Sequence, residues 1–343
     1  MALKQLLFTF DYELFLGKRS GSARKCIIDP TDKLLTIFRN YGLQAIFFVD
    51  TVYLLRLEEI AGTNKQASTD LELIKFQIRQ IIKDGHHVFP HIHPSWMDAV
   101  YLPEFNQWDL SNTSSYRFHS LDDQKQTALF DSSVNILRTI LAPIGCDYKP
   151  LGYRAGGWCI QPFEDFRSHF EKHGIRYDFS VLKGDKFRSS FLFYDFSKTA
   201  AGPDIYSFSS DVTIPDSGGR YTEFCISMIE KPSYVKNLFN RIYMKMIPNW
   251  YKSSSGNGFS AEAKNTDDSV PEKVPVKKSE MISMELLTRA KLEAYFDFIE
   301  ANNYMHFISH PKMLSHHNLV AFKLFLTHIT GKYQLETDFL KMT

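Results

Sequence analysis

Two pairs of residues in this sequence are spaced for chemistry: Asp11 and Glu13, and His91 and His93. In an extended strand, side chains at i and i+2 project to the same side, so each pair can converge on one point. Two carboxylates held together repel unless a cation or a shared proton compensates. A metal ion would do so and leave one carboxylate free as a base. Two imidazoles at this spacing can reach the same ion, and neutral imidazole with a carboxylate suits zinc, iron, cobalt or nickel. The plainer readings are a solvent-facing turn for the acids and satisfied structural histidines for the imidazoles. His86 and His87 are weaker ligand candidates that simply begin the strand.

Three further places add functional groups. In Gly152 to Trp158, small residues flank Arg154 and let the backbone pass close to other groups. Arg154 could then fix a buried carboxylate through a bidentate pair. Trp158 could wall a sugar ring, or it could be a core tryptophan in a strand-to-helix turn. Asp178, in Tyr177-Asp178-Phe179-Ser180, occupies a strand position where a charge is unexpected unless paired. His310 ends the apolar run Phe307-Ile308-Ser309.

The elements that must hold these residues are short apolar strands alternating with amphipathic helices. Strands are expected at 3–10, 45–49, 88–93, 151–155, 175–181 and 304–309. Asp29-Pro30 opens a helix that Gly42 stops, and Asp70 caps another that ends at Gly85. Further helices are expected at about 122–141, 162–173, 284–301 and 316–330, with short β-rich pieces between 191 and 228. Repeated βαβ order implies parallel strands. The polar candidates each fall at a separate strand end, which implies a (β/α) barrel with its site at the carboxyl ends of the strands. Residues 252–279 are rich in Ser, Gly and charge and poor in large apolar side chains. They read as a disordered surface insertion within one 1–343 domain.

Composition narrows the class. The chain has 343 residues, a formal net charge of +1 and no long basic run, so nothing favours a nucleic-acid partner. No stretch approaches the roughly 20 apolar residues of a membrane span, and the N-terminus lacks the pattern of a signal peptide. Cys26, Cys146, Cys159 and Cys225 form no CxxC and read as reduced thiols, in keeping with a cytoplasmic location.

With these motifs in order, the sequence resembles the polysaccharide deacetylase family (NodB homology, carbohydrate esterase 4) from Leu6 to about Leu314, the insertion excepted. Thr9-Phe10-Asp11 resembles the first motif, Gly85-His86 with His91 the second, Arg154 to Trp158 the third, Asp178 the fourth and His310 the fifth. Tyr12 and Ser95 stand where that family has its second Asp and second His, so Glu13 and His93 are expected to replace them. The resemblance implies an incomplete, distorted TIM-like barrel and a hydrolase acting on the amide of an N-acetylated (or otherwise acylated) amino sugar in a polysaccharide or its precursor. It implies a divalent ion on Glu13, His91 and His93: zinc foremost, with cobalt, nickel, iron or manganese as alternatives. By the same resemblance Asp11 is the general base and His310 the general acid. Arg154 orients Asp11, Asp178 orients His310, and Trp96 and Trp158 line the sugar site. The competing expectations are a non-catalytic carbohydrate-binding protein on a degenerate barrel, and a glycosidase using a carboxylate pair.

Overall fold

The computed structural model describes residues 1–231, 242–261 and 279–342. Its central sheet is built on β1 (Leu3–Tyr12), buried from Leu6 onward. Alternation along this strand divides its side chains between two environments. Phe8 and Phe10 face the helix layer, with ring centroids 5.2 and 5.7 Å from Phe38. Leu7 joins a second apolar cluster with Phe48, Phe89, Phe179, Phe224 and Phe339. Thr9 and Asp11 share the side of Leu7, further along the strand.

The other strands are β2 (Ile46–Asp50), β3 (His87–Ile92), β4 (Gly152–Ala155), β5 (Tyr177–Asp178), β6 (Ile205–Phe208), β7 (Tyr221–Phe224), β8 (Tyr304–Ser309) and β9 (Gln334–Glu336). They lie in the order β6-β7-β5-β4-β3-β2-β1-β8, with β9 paired to the start of β1. Within this sheet every ladder is parallel except β6 with β7. Between β7 and β8 the ladder is interrupted, and the gap is stitched indirectly. Ile282 N donates to Ser227 O at 2.8 Å, Ile308 N to Ile282 O at 3.1 Å, and His306 N to Ser227 Oγ at 2.9 Å. The result is the incomplete, distorted barrel expected from the sequence.

Helices cover the outside: α1 (Asp29–Tyr41), α2 (Thr51–Ala61), α3 (Lys65–Lys83), α4 (Asp123–Leu141), α5 (Glu164–His173), α6 (Leu292–Ala301) and α7 (His316–Lys332). Helix α2 has no counterpart in the sequence expectation, the strand expected at 175–181 is confined to Tyr177–Asp178, and two helix starts differ. Asn64, in an extended conformation, caps α3 by accepting from Ala67 N, so the helix starts before Asp70. Helix α6 begins at Leu292, not near 284, because residues 279–281 pair with 228–230 and Ile282 is drawn into the barrel gap. Tertiary pairing overrides helical periodicity there.

The low-complexity stretch also departs from expectation over 252–261. Its backbone is tied to the barrel rim: Ser255 N to Leu314 O at 3.0 Å, Gly256 N to Lys312 O at 2.9 Å, Phe259 N to Arg19 O and Ala261 N to Leu16 O, both at 2.8 Å. Glycine permits the approach, since a Cβ on Gly256 would come within 2.5 Å of the Phe15 ring. Small residues poor in apolar surface can still be ordered when backbone hydrogen bonds hold them. The remainder, 262–278, lies outside the described residues.

The barrel interior is layered. At its lower end Phe339 and Met342 join the aromatic layer of Phe48, Phe89, Phe179 and Phe224. Phe179 is the hub, 5.0 Å from Phe224, 5.4 Å from Phe48 and 5.6 Å from Phe339. Above it the Arg154 guanidinium lies 4.3 Å from the centre of the Phe48 ring. The polar groups of the site stand on this apolar floor.

His86, considered as a weak ligand candidate, is packed away from the site. Its ring faces Phe38 and Phe47 edge-on, each 5.9 Å away, and its Nδ1 accepts from Ala45 N at 3.3 Å. Burial pushes its pKa down to about 4. The folded state thus refuses a proton that the unfolded chain accepts near pH 6.5. Its contribution is complete above pH 6.5 and is lost as pH falls toward 4, by roughly 3 kcal/mol at the limit. His86→Gln is therefore expected to show a shallower fall in melting temperature between pH 7 and pH 4.5 than the parent (measured by calorimetry).

Candidate active site

The carboxyl ends of β1, β3, β4 and β8 bring the polar candidates together. Register explains part of this: His91 lies opposite Arg154 on one side and Asp50 on the other. Asp11, Glu13, His91, His93, Trp158, Glu285, His310 and Lys312 all line one cleft of about 290 Å³.

Arg154 is the buried anchor. Its Nη1 donates to Asp11 Oδ1 at 2.6 Å, Nη2 to Thr9 Oγ1 at 2.7 Å, and Nε to Phe179 O at 2.9 Å. Nη2 also reaches His306 Nε2 at 3.3 Å. Burial together with the Arg154 charge holds the His306 pKa well below its usual value, so this imidazole is neutral and accepts. Burial alone would push the Asp11 carboxyl up, but Arg154, His91 and His310 outweigh it and leave it below the usual range. Asp11 is therefore an ionised carboxylate with one oxygen held and the other, Oδ2, turned toward His310 Nε2 at 3.6 Å and His91 Nε2 at 4.0 Å.

Glu13, His91 and His93 are all buried, and one ligand atom from each lies within 4.8 Å of the others. The His93 Nε2–Glu13 Oε2, His91 Nε2–His93 Nε2 and His91 Nε2–Glu13 Oε2 separations are 2.7, 2.9 and 3.4 Å. Adjacent ligands on one ion with bonds near 2.1 Å stand roughly 3 Å apart, so the spacing fits a first-row divalent metal. Two further observations agree with that fit. His91 Nδ1 lies 2.8 Å from the Arg154 carbonyl oxygen, to which it donates, leaving the lone pair on Nε2. Glu13 Oε2 is buried and faces the two imidazole nitrogens, whereas Oε1 accepts from Lys312 Nζ at 2.8 Å. Burial raises the Glu13 pKa, and Lys312 with His93 more than reverses it, leaving the carboxyl well below the usual range. Gly156 makes room for this arrangement, since a Cβ there would come within 2.8 Å of the His93 ring.

His310 is oriented by Glu285, a residue that belongs to none of the sequence motifs. Its Nδ1 lies 3.2 Å from Glu285 Oε2, and its backbone N donates to the same oxygen at 2.7 Å. Burial lowers its pKa, but Glu285 and Asp11 raise it overall, so the protonated form is favoured. Asp178 does not play the role expected of it. It accepts from Ser180 N and Oγ, both at 3.0 Å, and among the described residues has no hydrogen bond to His310. Burial pushes its pKa up to about 7. Asp178 supports the loop beneath Arg154, because Ser180 Oγ in turn accepts from Ala155 N at 2.9 Å.

The two tryptophans also separate. Trp158 lines the cleft with its indole N–H unpartnered. Trp96 is fully buried, packs against Tyr53 and Trp108, and donates to Asp50 Oδ2, so it cannot touch a ligand in the cleft. No sequence signal foretells this, since a tryptophan after a histidine strand looks the same whichever way it points. Tyr116, from the loop before α4, also lines the cleft. Lys312 had one available signal, its place two residues after His310; Glu285 had only an acid set between Met284 and Leu286.

No sequence-family model and no curated protein sequence matches the chain. Solved structures do. A "putative polysaccharide deacetylase from Mycobacterium smegmatis" superposes with a TM-score of 0.50 at 14% identity, covering 98% of this chain and 88% of that one. A "probable Polysaccharide deacetylase from Pseudomonas aeruginosa PAO1" aligns with a TM-score of 0.49 at 10% identity, covering 97% and 86%. The structure of "Puue Allantoinase" aligns with a TM-score of 0.49 at 12% identity, covering 98% and 88%. In fold, then, this chain is similar to the Mycobacterium smegmatis protein over almost its entire length.

Proposed function

We propose that this chain is a metal-dependent hydrolase that removes an N-acetyl or similar acyl group from an amino sugar. The observation that carries the reading is the meeting, in one cleft, of an Arg-held carboxylate (Asp11), a converging carboxylate–imidazole triad (Glu13, His91, His93) and a carboxylate-held imidazole (His310 with Glu285). The resemblance of the sequence motifs to those of polysaccharide deacetylases points the same way, as does the shared fold.

A divalent ion held by Glu13, His91 and His93 would polarise the acyl carbonyl and lower the pKa of a water. The chain's own groups account for the proton movements. Asp11 Oδ2 takes a proton from water as its oxygen adds to the carbonyl carbon, while Arg154 fixes Oδ1 and keeps the base ionised. His310 Nε2, 3.6 Å from Asp11 Oδ2, then protonates the sugar nitrogen as the C–N bond breaks, with Glu285 holding the ring from Nδ1. Trp158 and Tyr116 present aromatic surface to the sugar.

The direct test is acetate release from N-acetylated chito-oligosaccharides alongside metal analysis of the purified protein. His91→Ala is expected to lose both the bound metal and the activity. Full metal content in an inactive His91→Ala would overturn the assigned ligand role. The tryptophans supply a second check. Trp158→Ala is expected to raise KM about tenfold through lost contact area. Trp96→Phe is expected to leave KM unchanged and destabilise the fold by about 1–3 kcal/mol, because Asp50 loses a buried donor.

A further inference from the structure

Beside the cleft mouth the surface is apolar and basic. Ile242, Met246 and Trp250 are 49%, 80% and 74% exposed, and Phe259 is 64% exposed. Lys245 is also exposed. Such a concentration of large apolar side chains between Ile242 and Trp250 exceeds the scattered single exposures normal for a protein surface. The charge pattern is one-sided: the described stretch from Ile242 to Ala261 carries Lys245 and Lys252 and contains no Asp or Glu.

This patch is continuous with the rim of the cleft. The Trp250 ring lies 6.1 Å from His316, three residues past Met313, which is 39% exposed and lines the cleft. On its other side the chain runs from Trp250 through Gly256, bonded to Lys312 O, to Ser260 and Ala261 in the cleft wall. On the neighbouring loop Lys18 is exposed, and Arg19 stacks 3.7 Å over the half-exposed Phe105.

Exposed Trp, Met and Ile beside Lys245, with no acid in the sequence from Ile242 to Trp250, match the chemistry of a bilayer interface: indole and aliphatic groups enter the headgroup boundary while ammonium groups meet lipid phosphates. We infer that the surface formed by Ile242, Lys245, Met246, Trp250, Phe259 and Met313 docks the protein on an anionic phospholipid bilayer, with the cleft mouth facing the lipid headgroups. A protein partner would call for shape and paired polar groups; a lipid surface needs only the apolar area and the positive sign. This inference stands apart from the proposed activity and does not rely on it.

The test is co-sedimentation of the full chain with vesicles of phosphatidylcholine alone or with about 30% phosphatidylglycerol. Binding to the anionic vesicles is expected to exceed binding to neutral ones by about tenfold and to weaken with added salt. The double variant Met246→Glu/Trp250→Ala, and separately Lys245→Glu, should lower the anionic-vesicle partition several-fold to about tenfold with an unchanged thermal melt. Lys245, Met246 and Trp250 are all solvent-facing, so the melt serves as the control for folding. Equal recovery in the supernatant with both vesicle types would overturn the inference, as would vesicle binding that neither variant alters. So would a concentration-dependent dimer dispersed by Met246→Glu/Trp250→Ala, which would assign the patch to a second copy of the chain.

Discussion

Asp11→Asn is expected to reduce acetate release by roughly 10²–10⁴-fold while metal content stays at the parent level. The amide keeps an oxygen for Arg154 Nη1, which lies 2.6 Å from Asp11 Oδ1, but it cannot take a proton from water. Because Asp11 does not belong to the Glu13–His91–His93 group, the two readouts should separate. That contrasts with His91→Ala, where they fall together. Loss of metal along with activity in Asp11→Asn would move Asp11 from base to ligand. Near-parent activity would remove it from the chemistry altogether and favour a different base in the cleft. Turnover should be compared at saturating substrate, since a loss confined to KM would instead indicate a binding role.

Arg154→Met is expected to give the largest loss of stability, about 3–5 kcal/mol, through the mechanism that makes half of a buried ion pair so costly. Arg154 is fully buried, and so is Asp11. Methionine fills much of the volume above the Phe48 ring but leaves the Asp11 carboxylate, Thr9 Oγ1 and the Phe179 carbonyl without the donors that Arg154 supplies. Adding Asp11→Asn to Arg154→Met should recover part of the loss, because the uncompensated charge is then gone. The double-mutant cycle by urea denaturation measures that coupling. Simple additivity of the two single variants would show that the stranded Asp11 charge is not the main source of the loss. Arg154→Lys should fall between, since an ammonium can serve Asp11 but cannot reach Thr9, Phe179 and Asp11 together in the planar fork that guanidinium provides.

The Glu13–His91–His93 group and the groups around Asp11 and His310 were legible to different degrees, for reasons that trace to sequence distance. Asp11 with Glu13, and His91 with His93, are local pairs, and strand geometry alone puts each pair on one side. That the two pairs meet follows from β1, β2 and β3 being consecutive parallel neighbours, which the βαβ rhythm already implied. Arg154 as the partner of a buried carboxylate was legible for the same reason. Its small neighbours mark a close backbone approach, and Gly156 proves to be where a side chain would strike His93.

What the amino-acid order alone determined, then, was the alternation of strands and helices, the barrel they form and the strand ends from which Asp11, Glu13, His91, His93, Arg154 and His310 project. Hydrophobic periodicity and i, i+2 spacing are local properties, carried by side chains close together in the chain. Tertiary structure alone decided which carboxylate holds His310, which tryptophan faces the cleft and what becomes of residues 252–261. Each of those depends on a segment whose path is set by non-local pairing. Residue 282 enters the gap between β7 and β8, so Glu285 reaches His310, and backbone hydrogen bonds to 16, 19, 312 and 314 lay an apolar-poor stretch against the rim. Composition and periodicity do not encode such contacts, because the groups that make them are backbone amides and carbonyls common to nearly every residue.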